Sequence, residues 1–209
     1  MCSRFENKES GESIFKRLKN NFHGEVIYDI ENWEEFPSEK IAPTDKIIAV
    51  MRKNNALFIK STQWGIKFDD TKKFPVVFNS RLETLNSKKF WGTLFNNNRC
   101  VIPATAFFEW VQTSEGKVPQ RIHSDDELFY IAGINFFKDE IVYSSMITTT
   151  PNAFMKNLHN RMPILFNETD ALEFLFASGE DAMNICKKVV SLNLSSNSHS
   201  FDQFNLKKT

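Results

Sequence analysis

The chain has 209 residues, 41% hydrophobic and 25% charged, with 26 Lys and Arg balanced by 26 Asp and Glu. This is an ordinary globular composition at a size that buries a full core, and it excludes a disordered, collagen-like or disulfide-stapled chain. No run approaches the ~18 apolar residues of a membrane span, and three cysteines without CxxC spacing exclude a cysteine framework for zinc.

Lys8, Glu9 and Glu12 interrupt the place where a secretory signal carries its apolar stretch. A cytoplasmic location is therefore expected, at the nucleoid if the source is bacterial. The first helical spacing is Phe15, Leu18 and Phe22. Ile47 to Met51 and Ala56 to Ile59 flank the polar Lys53-Asn54-Asn55, a hairpin signature. A helix is predicted across Leu85 to Phe95, then strands at Cys100 to Ile102, Ala106 to Val111, Leu128 to Ile134 and Ile141 to Thr149. Asp170 to Phe176 reads as a helix capped by Asn167 or Thr169, and a last helix covers about Glu180 to Lys188. A final strand is read at Val189 to Leu194. Strands in the middle with helices at the periphery predict an α+β fold, a single strand-rich domain built on a bent antiparallel sheet or partial barrel. It spans 1–194, and the polar residues 195–209 form a tail expected to be mobile. Most of the 21 phenylalanines are expected in the core.

Charge is uneven along the chain. Residues 51–100 hold ten Lys and Arg, including Arg52, Lys60, Lys72, Lys73, Arg81 and Arg99, against Asp69, Asp70 and Glu83. Two readings stay open, a local nucleic-acid contact or a solvated face of lysines. Four scattered histidines add no metal pattern, and neither metal nor cofactor is expected.

The most informative position is Cys2. If Met1 is removed, the chain begins with a free α-amine and a thiol on adjacent carbons. Such a 1,2-aminothiol condenses with an aldehyde to an imine, and the thiol then closes a thiazolidine ring that hydrolyses far more slowly. An α-amine titrates near ~8 and a thiol near ~8.5, so modest local help frees the amine at neutral pH. This chemistry requires an aldehyde without saying whose.

Four blocks accompany Cys2: Met1-Cys2-Ser3-Arg4-Phe5, Phe78-Asn79-Ser80-Arg81-Leu82-Glu83-Thr84, Ile102 to Trp110, and Leu158-His159-Asn160-Arg161-Met162-Pro163. Together with Ile41-Ala42-Pro43-Thr44 and Trp64-Gly65, their order and spacing over residues 1–175 resemble the SRAP family of abasic-site processing proteins, also labelled SOS response-associated peptidases. The resemblance implies binding of single-stranded DNA at an abasic site and a covalent thiazolidine DNA–protein crosslink through the mature Cys2, shielding the lesion, by a monomer acting without membrane or metal. The aldehyde is then the ring-opened abasic sugar.

Each matched residue has a physical task in that setting. Glu109, flanked by Phe108 and Trp110, is predicted to be desolvated, to accept a proton from the α-ammonium and to orient the amine. His159 shuttles a proton to and from the sugar ring oxygen. Asn79 holds the sugar hydroxyl or the new ring through its amide. Arg4, Arg81 and Arg161 are the expected phosphate clamps, with the Thr148 hydroxyl as a further phosphate donor and Pro43 as a wedge beside the lesion. The chain departs from the family pattern at Ser3, Ala106 and Asn160, where Gly, Gly and Asp are usual. It also lacks a second tryptophan after Trp64-Gly65, which leaves two alternatives, Phe68 as the substitute or the loss of that contact. Two other functions stay open: a cysteine peptidase using the same residues, with Cys2 as thiolate, His159 as base and Glu109 or Asn79 as orienter, acting on its own Met1 alone or more widely, and a passive single-strand binder on the basic segment 51–100.

Overall fold

The computed structural model describes residues 2–30, 38–69, 75–85, 87–114, 116–188 and 192–199. In chain order the elements are β1 (Phe5–Asn7), α1 (Gly11–Asn21), β2 (Glu25–Asp29), β3 (Ser38–Ile41), β4 (Lys46–Lys53), β5 (Ala56–Trp64) and β6 (Asn79–Arg81). Then come α2 (Leu82–Leu85), α3 (Lys89–Asn97), β7 (Arg99–Ala104), β8 (Ala106–Thr113), β9 (Gly116–Ser124), β10 (Phe129–Lys138) and β11 (Ile141–Thr149). The chain continues through β12 (Met162–Pro163), β13 (Leu165–Phe166), α4 (Glu168–Phe176), α5 (Gly179–Lys187) and β14 (Leu194–Ser198).

Two sheets form an α+β fold. One has the order β14-β9-β8-β1-β3, the other β12-β11-β10-β7-β4-β5-β2, with β13 joined to β10 and β6 to β11. A short parallel contact of β5 with β11, Gln63 opposite Tyr143 and Trp64 opposite Ser144, closes β11-β10-β7-β4-β5 into a five-stranded ring. Closure removes the sheet edges that would otherwise be exposed. The expected bent sheet and partial barrel are therefore present, though β2, β5, β6 and β11 also pair in parallel.

Alternation along β4 sorts the core. Ile48 and Val50 join a cluster with Ile14, Leu18, Phe95 and Phe174 beneath the helices, whereas Ile47, Ala49 and Met51 join Cys2, Phe5, Trp64 and Phe107. The β4–β5 hairpin runs in the register Lys53 opposite Ala56, with Asn54 at φ 56°, a conformation that asparagine tolerates. The first turn of α4 is capped by Asn167, whose side chain accepts from the Asp170 N–H at 2.8 Å.

Two expectations are corrected. Residues 195–198, read as tail, continue β14 and pair with β9, whose polar sequence Gly116–Ser124 carries too few apolar residues to announce a strand. Residues 189–191 of the last expected strand, and residues 200–209, lie outside the described residues. The basic segment is not one face. Lys72 and Lys73 lie outside the described residues, Lys60 pairs with Asp29 at 2.5 Å, and Arg52 packs on the Phe176 ring.

Arg99 leaves the surface entirely. Its guanidinium donates to Phe95 O (2.9 Å) and Asn96 O (3.2 Å) at the end of α3, and to Phe174 O (2.9 Å) and Ala177 O (2.5 Å) at the end of α4. One cation thus satisfies the last carbonyls of two helices and faces both negative helix ends. Arg99→Met orphans all four acceptors, and a loss of about 3 kcal/mol or more in urea unfolding is expected. Arg99→Lys reaches only one helix end and recovers less than half of that.

Candidate functional site

Cys2 precedes β1, a three-residue strand paired with β8 through Phe5 opposite Phe107 and with β3 through Phe5 opposite Ile41. The Cys2 side chain is 1% exposed, and its thiol donates to Arg4 O at 3.3 Å. Burial, and then the charge of Glu109, push the thiol up to about 12. Asn79 reaches the same residue from the other sheet. Its Nδ2 donates to Cys2 O at 2.7 Å, while its Oδ1 is buried without a hydrogen-bond partner among the described residues.

β6 is held there by two contacts with the preceding residue. Phe78 O accepts from Trp64 Nε1 (3.0 Å) and from Met146 N (3.0 Å). Trp64 is fully buried and packs edge-on against both Phe5 and Phe78, joining the cysteine strand to the asparagine strand. This central role of Trp64 has no local signal beyond its size.

Glu109 sits on β8 at 3% exposure, and burial holds its carboxyl above the usual carboxylate range against the opposing charge of His159. The expected flanking by Phe108 and Trp110 is corrected by strand geometry. Neighbours in a strand point to opposite faces, so Glu109 shares its face with Phe107 of the Cys2 cluster, while Phe108 packs on His199. His159 follows a 3-10 turn (Met155–Asn157), and its N–H closes on Met155 O at 2.8 Å. The ring Nε2 lies 3.9 Å from Glu109 Oε2, inside electrostatic reach and longer than a hydrogen bond. The Arg161 N–H is 3.0 Å from Nδ1. Arg161 O lies 3.2 Å from the same nitrogen. A backbone N–H can only donate, so the shorter of the two contacts makes Nδ1 an acceptor, and the neutral ring then carries its proton on Nε2, toward Glu109.

The expected phosphate contacts divide. Arg81 is exposed, and its guanidinium makes no hydrogen bond or ion pair among the described residues. Arg4 is half-buried, with a donor on Ser3 O at 2.6 Å. Arg161 is already engaged: NH1 and NH2 fork onto Glu83 at 2.7 and 3.0 Å, and NH2 also donates to Thr148 O at 2.7 Å. Thr148 is fully buried and donates to Ser80 O at 3.3 Å, so its hydroxyl does not face a ligand. Pro43 is half-buried in a turn closed by Asp45 N to Ala42 O, where the next residue, Thr44, has φ 81°. The β1–β3 register carries this turn past Phe5 toward Cys2. Phe68 is not at this site. It packs with Phe90, Trp91 and Phe136 in a separate aromatic group over the helical core.

Glu83 was not singled out from the sequence, although it lies within the matched block around Asn79 and Arg81. Among the described residues no group of three or more His, Cys, Asp or Glu gathers as a metal site, and no helix is long and apolar enough to cross a membrane.

A small barrel backed by a second sheet, with the second residue, an amide, a buried carboxylate and an imidazole drawn together, defines the class of protein. The SOS response associated peptidase (SRAP) family matches residues 1–200, and the chain belongs to it. The abasic site processing protein YoaM of Bacillus subtilis is 29% identical over 189 residues, 84% of this chain and 79% of that protein. The abasic site processing protein YedK of Escherichia coli is 23% identical over 192 residues, 88% of this chain and 85% of that protein. A crystal structure of a protein from Bacteroides thetaiotaomicron shares the fold at a TM-score of 0.77 and 17% identity, covering 96% of this chain and 93% of that one.

Proposed function

We propose that this protein processes abasic sites in single-stranded DNA by forming a covalent thiazolidine crosslink through Cys2 after removal of Met1. The observation that carries the reading is the convergence on Cys2 of Asn79, which grips its carbonyl, and of Glu109, whose charge is felt by its thiol.

The steps balance. The abasic sugar opens when a proton reaches its ring oxygen, giving a C1′ aldehyde. The Cys2 amine adds to C1′, and loss of water leaves an imine. The thiol sulfur then bonds to C1′ as its proton passes to the imine nitrogen, closing the five-membered ring. One water is released in all, and nothing is oxidised or reduced. Glu109 takes the proton from the α-ammonium, favoured by its raised affinity for protons, and His159 presents Nε2–H to the ring oxygen. The unpartnered Asn79 Oδ1 accepts from a sugar hydroxyl. Arg81 and Arg4 take the flanking phosphates.

The thiol environment favours this order over a thiolate peptidase. A cysteine peptidase lowers its thiol with a paired imidazole. Here the thiol is pushed up, donates to Arg4 O, and His159 faces Glu109 instead. A neutral thiol closing on an imine needs no such thiolate.

The direct test is incubation of the mature protein with an oligonucleotide carrying one abasic site. A heat-stable species at the summed mass less one water is expected by intact-mass spectrometry, and its absence sinks the proposal. The same single strand with a reduced abasic sugar, which has no aldehyde, should give nothing.

A further inference from the structure

We infer that Glu83 is a positioning residue for His159, acting through Arg161, a role that rests on the crosslinking reading given above. Glu83 follows β6 directly, in the first turn of α2, and its carboxylate accepts both end nitrogens of Arg161 at 2.7 and 3.0 Å. The same guanidinium is tied on its other edge to Thr148 O at 2.7 Å and lies 3.2 Å from Thr148 Oγ1. Both terminal nitrogens of Arg161 are thus occupied by protein atoms, while its Nε is buried without a hydrogen-bond partner among the described residues, and its side chain is only 14% exposed. It is a strut between α2 and β11.

The other end of the strut is the backbone. The Arg161 N–H points at His159 Nδ1, 3.0 Å away, and Arg161 O lies 3.2 Å from the same nitrogen, so the residue that Glu83 anchors is also the one whose backbone holds the ring. Anchoring the guanidinium restrains that residue, and its amide, the shorter of the two contacts, biases which imidazole nitrogen holds the proton. Asn160, between the two, supplies no carboxylate to orient the ring. The pair is more than a surface contact: hydrogen bonding to Arg161 holds the Glu83 carboxyl below the ordinary carboxylate range despite partial burial.

Glu83→Ala and Glu83→Gln separate this role from its rival, in which the carboxylate merely occupies a fork that DNA phosphate later takes. Three quantities are read: crosslinking rate on abasic single-stranded oligonucleotide, noncovalent affinity for the same oligonucleotide with a reduced sugar, and the 15N shifts of the His159 ring. Glu83→Ala should slow crosslinking about tenfold, leave affinity within about twofold, and move the ring from the Nε2–H pattern to a mixture of tautomers. Glu83→Gln keeps one acceptor oxygen for Arg161 and should restore most of the rate and the shifts. A rise in affinity with a salt dependence steeper by about one phosphate overturns the role, and so does an unchanged tautomer. If wild-type protein forms no crosslink, the functional reading fails, while the ring shifts still decide whether Glu83 positions His159.

Discussion

Cys2→Ala is expected to lose the heat-stable adduct with abasic single-stranded DNA down to background while binding the DNA as before. Alanine at position 2 still offers an α-amine once Met1 is removed, so the imine can form but has no sulfur to close on. Borohydride should therefore trap a residual adduct with this variant. An N-terminal extension that retains Cys2 removes the free amine instead, and then neither the stable nor the borohydride-trapped species should appear. The two variants divide the reaction into its nitrogen and sulfur steps. Folding should be little disturbed by either: Cys2 is buried, but the contacts that seat its strand, Phe5 opposite Phe107 and Asn79 to the Cys2 carbonyl, do not involve the sulfur. A stable adduct in Cys2→Ala would place the covalent bond on another residue.

Glu109→Gln should slow crosslinking by about 100-fold. The amide matches the carboxylate in shape and cannot take a proton from the α-ammonium. In the wild type the rate should fall with acidity through a limb lying above the ordinary carboxylate range, since burial raises this carboxyl. The variant should lose that limb. Stability moves the opposite way. A carboxyl raised in the folded state binds its proton more tightly there than in the unfolded chain, so its contribution is fully present below the unfolded carboxylate pKa and lost as pH rises through the folded one. Glu109→Gln, uncharged at every pH, should lose this fall in stability with rising pH while working more slowly. A variant that crosslinks at the wild-type rate, or that keeps the wild-type pH dependence of stability, removes Glu109 from the proton path.

Much of the local architecture was legible. The hairpin around Asn54, the cap at Asn167 and the buried runs of β7, β10 and β11 follow from turn chemistry and apolar period, which act over a few residues. β9 was not legible, because its pairing with β8 and β14 is made by backbone groups along a mostly polar sequence.

The chemistry of the chain was its own to declare. An aminothiol at position 2, with an amide, a carboxylate and an imidazole in ordered blocks, is a property of covalent structure and can be read before any folding. Which of those groups act together was decided only in three dimensions. Glu109 and His159 come within 3.9 Å across fifty residues of chain, Arg161 is claimed by Glu83 and Thr148, and Phe68 is drawn into a distant aromatic group. The reason is that side-chain partners at long separation are set by strand register and ring closure, which sum many weak backbone and packing terms. No single residue type carries that sum in its own sequence neighbourhood.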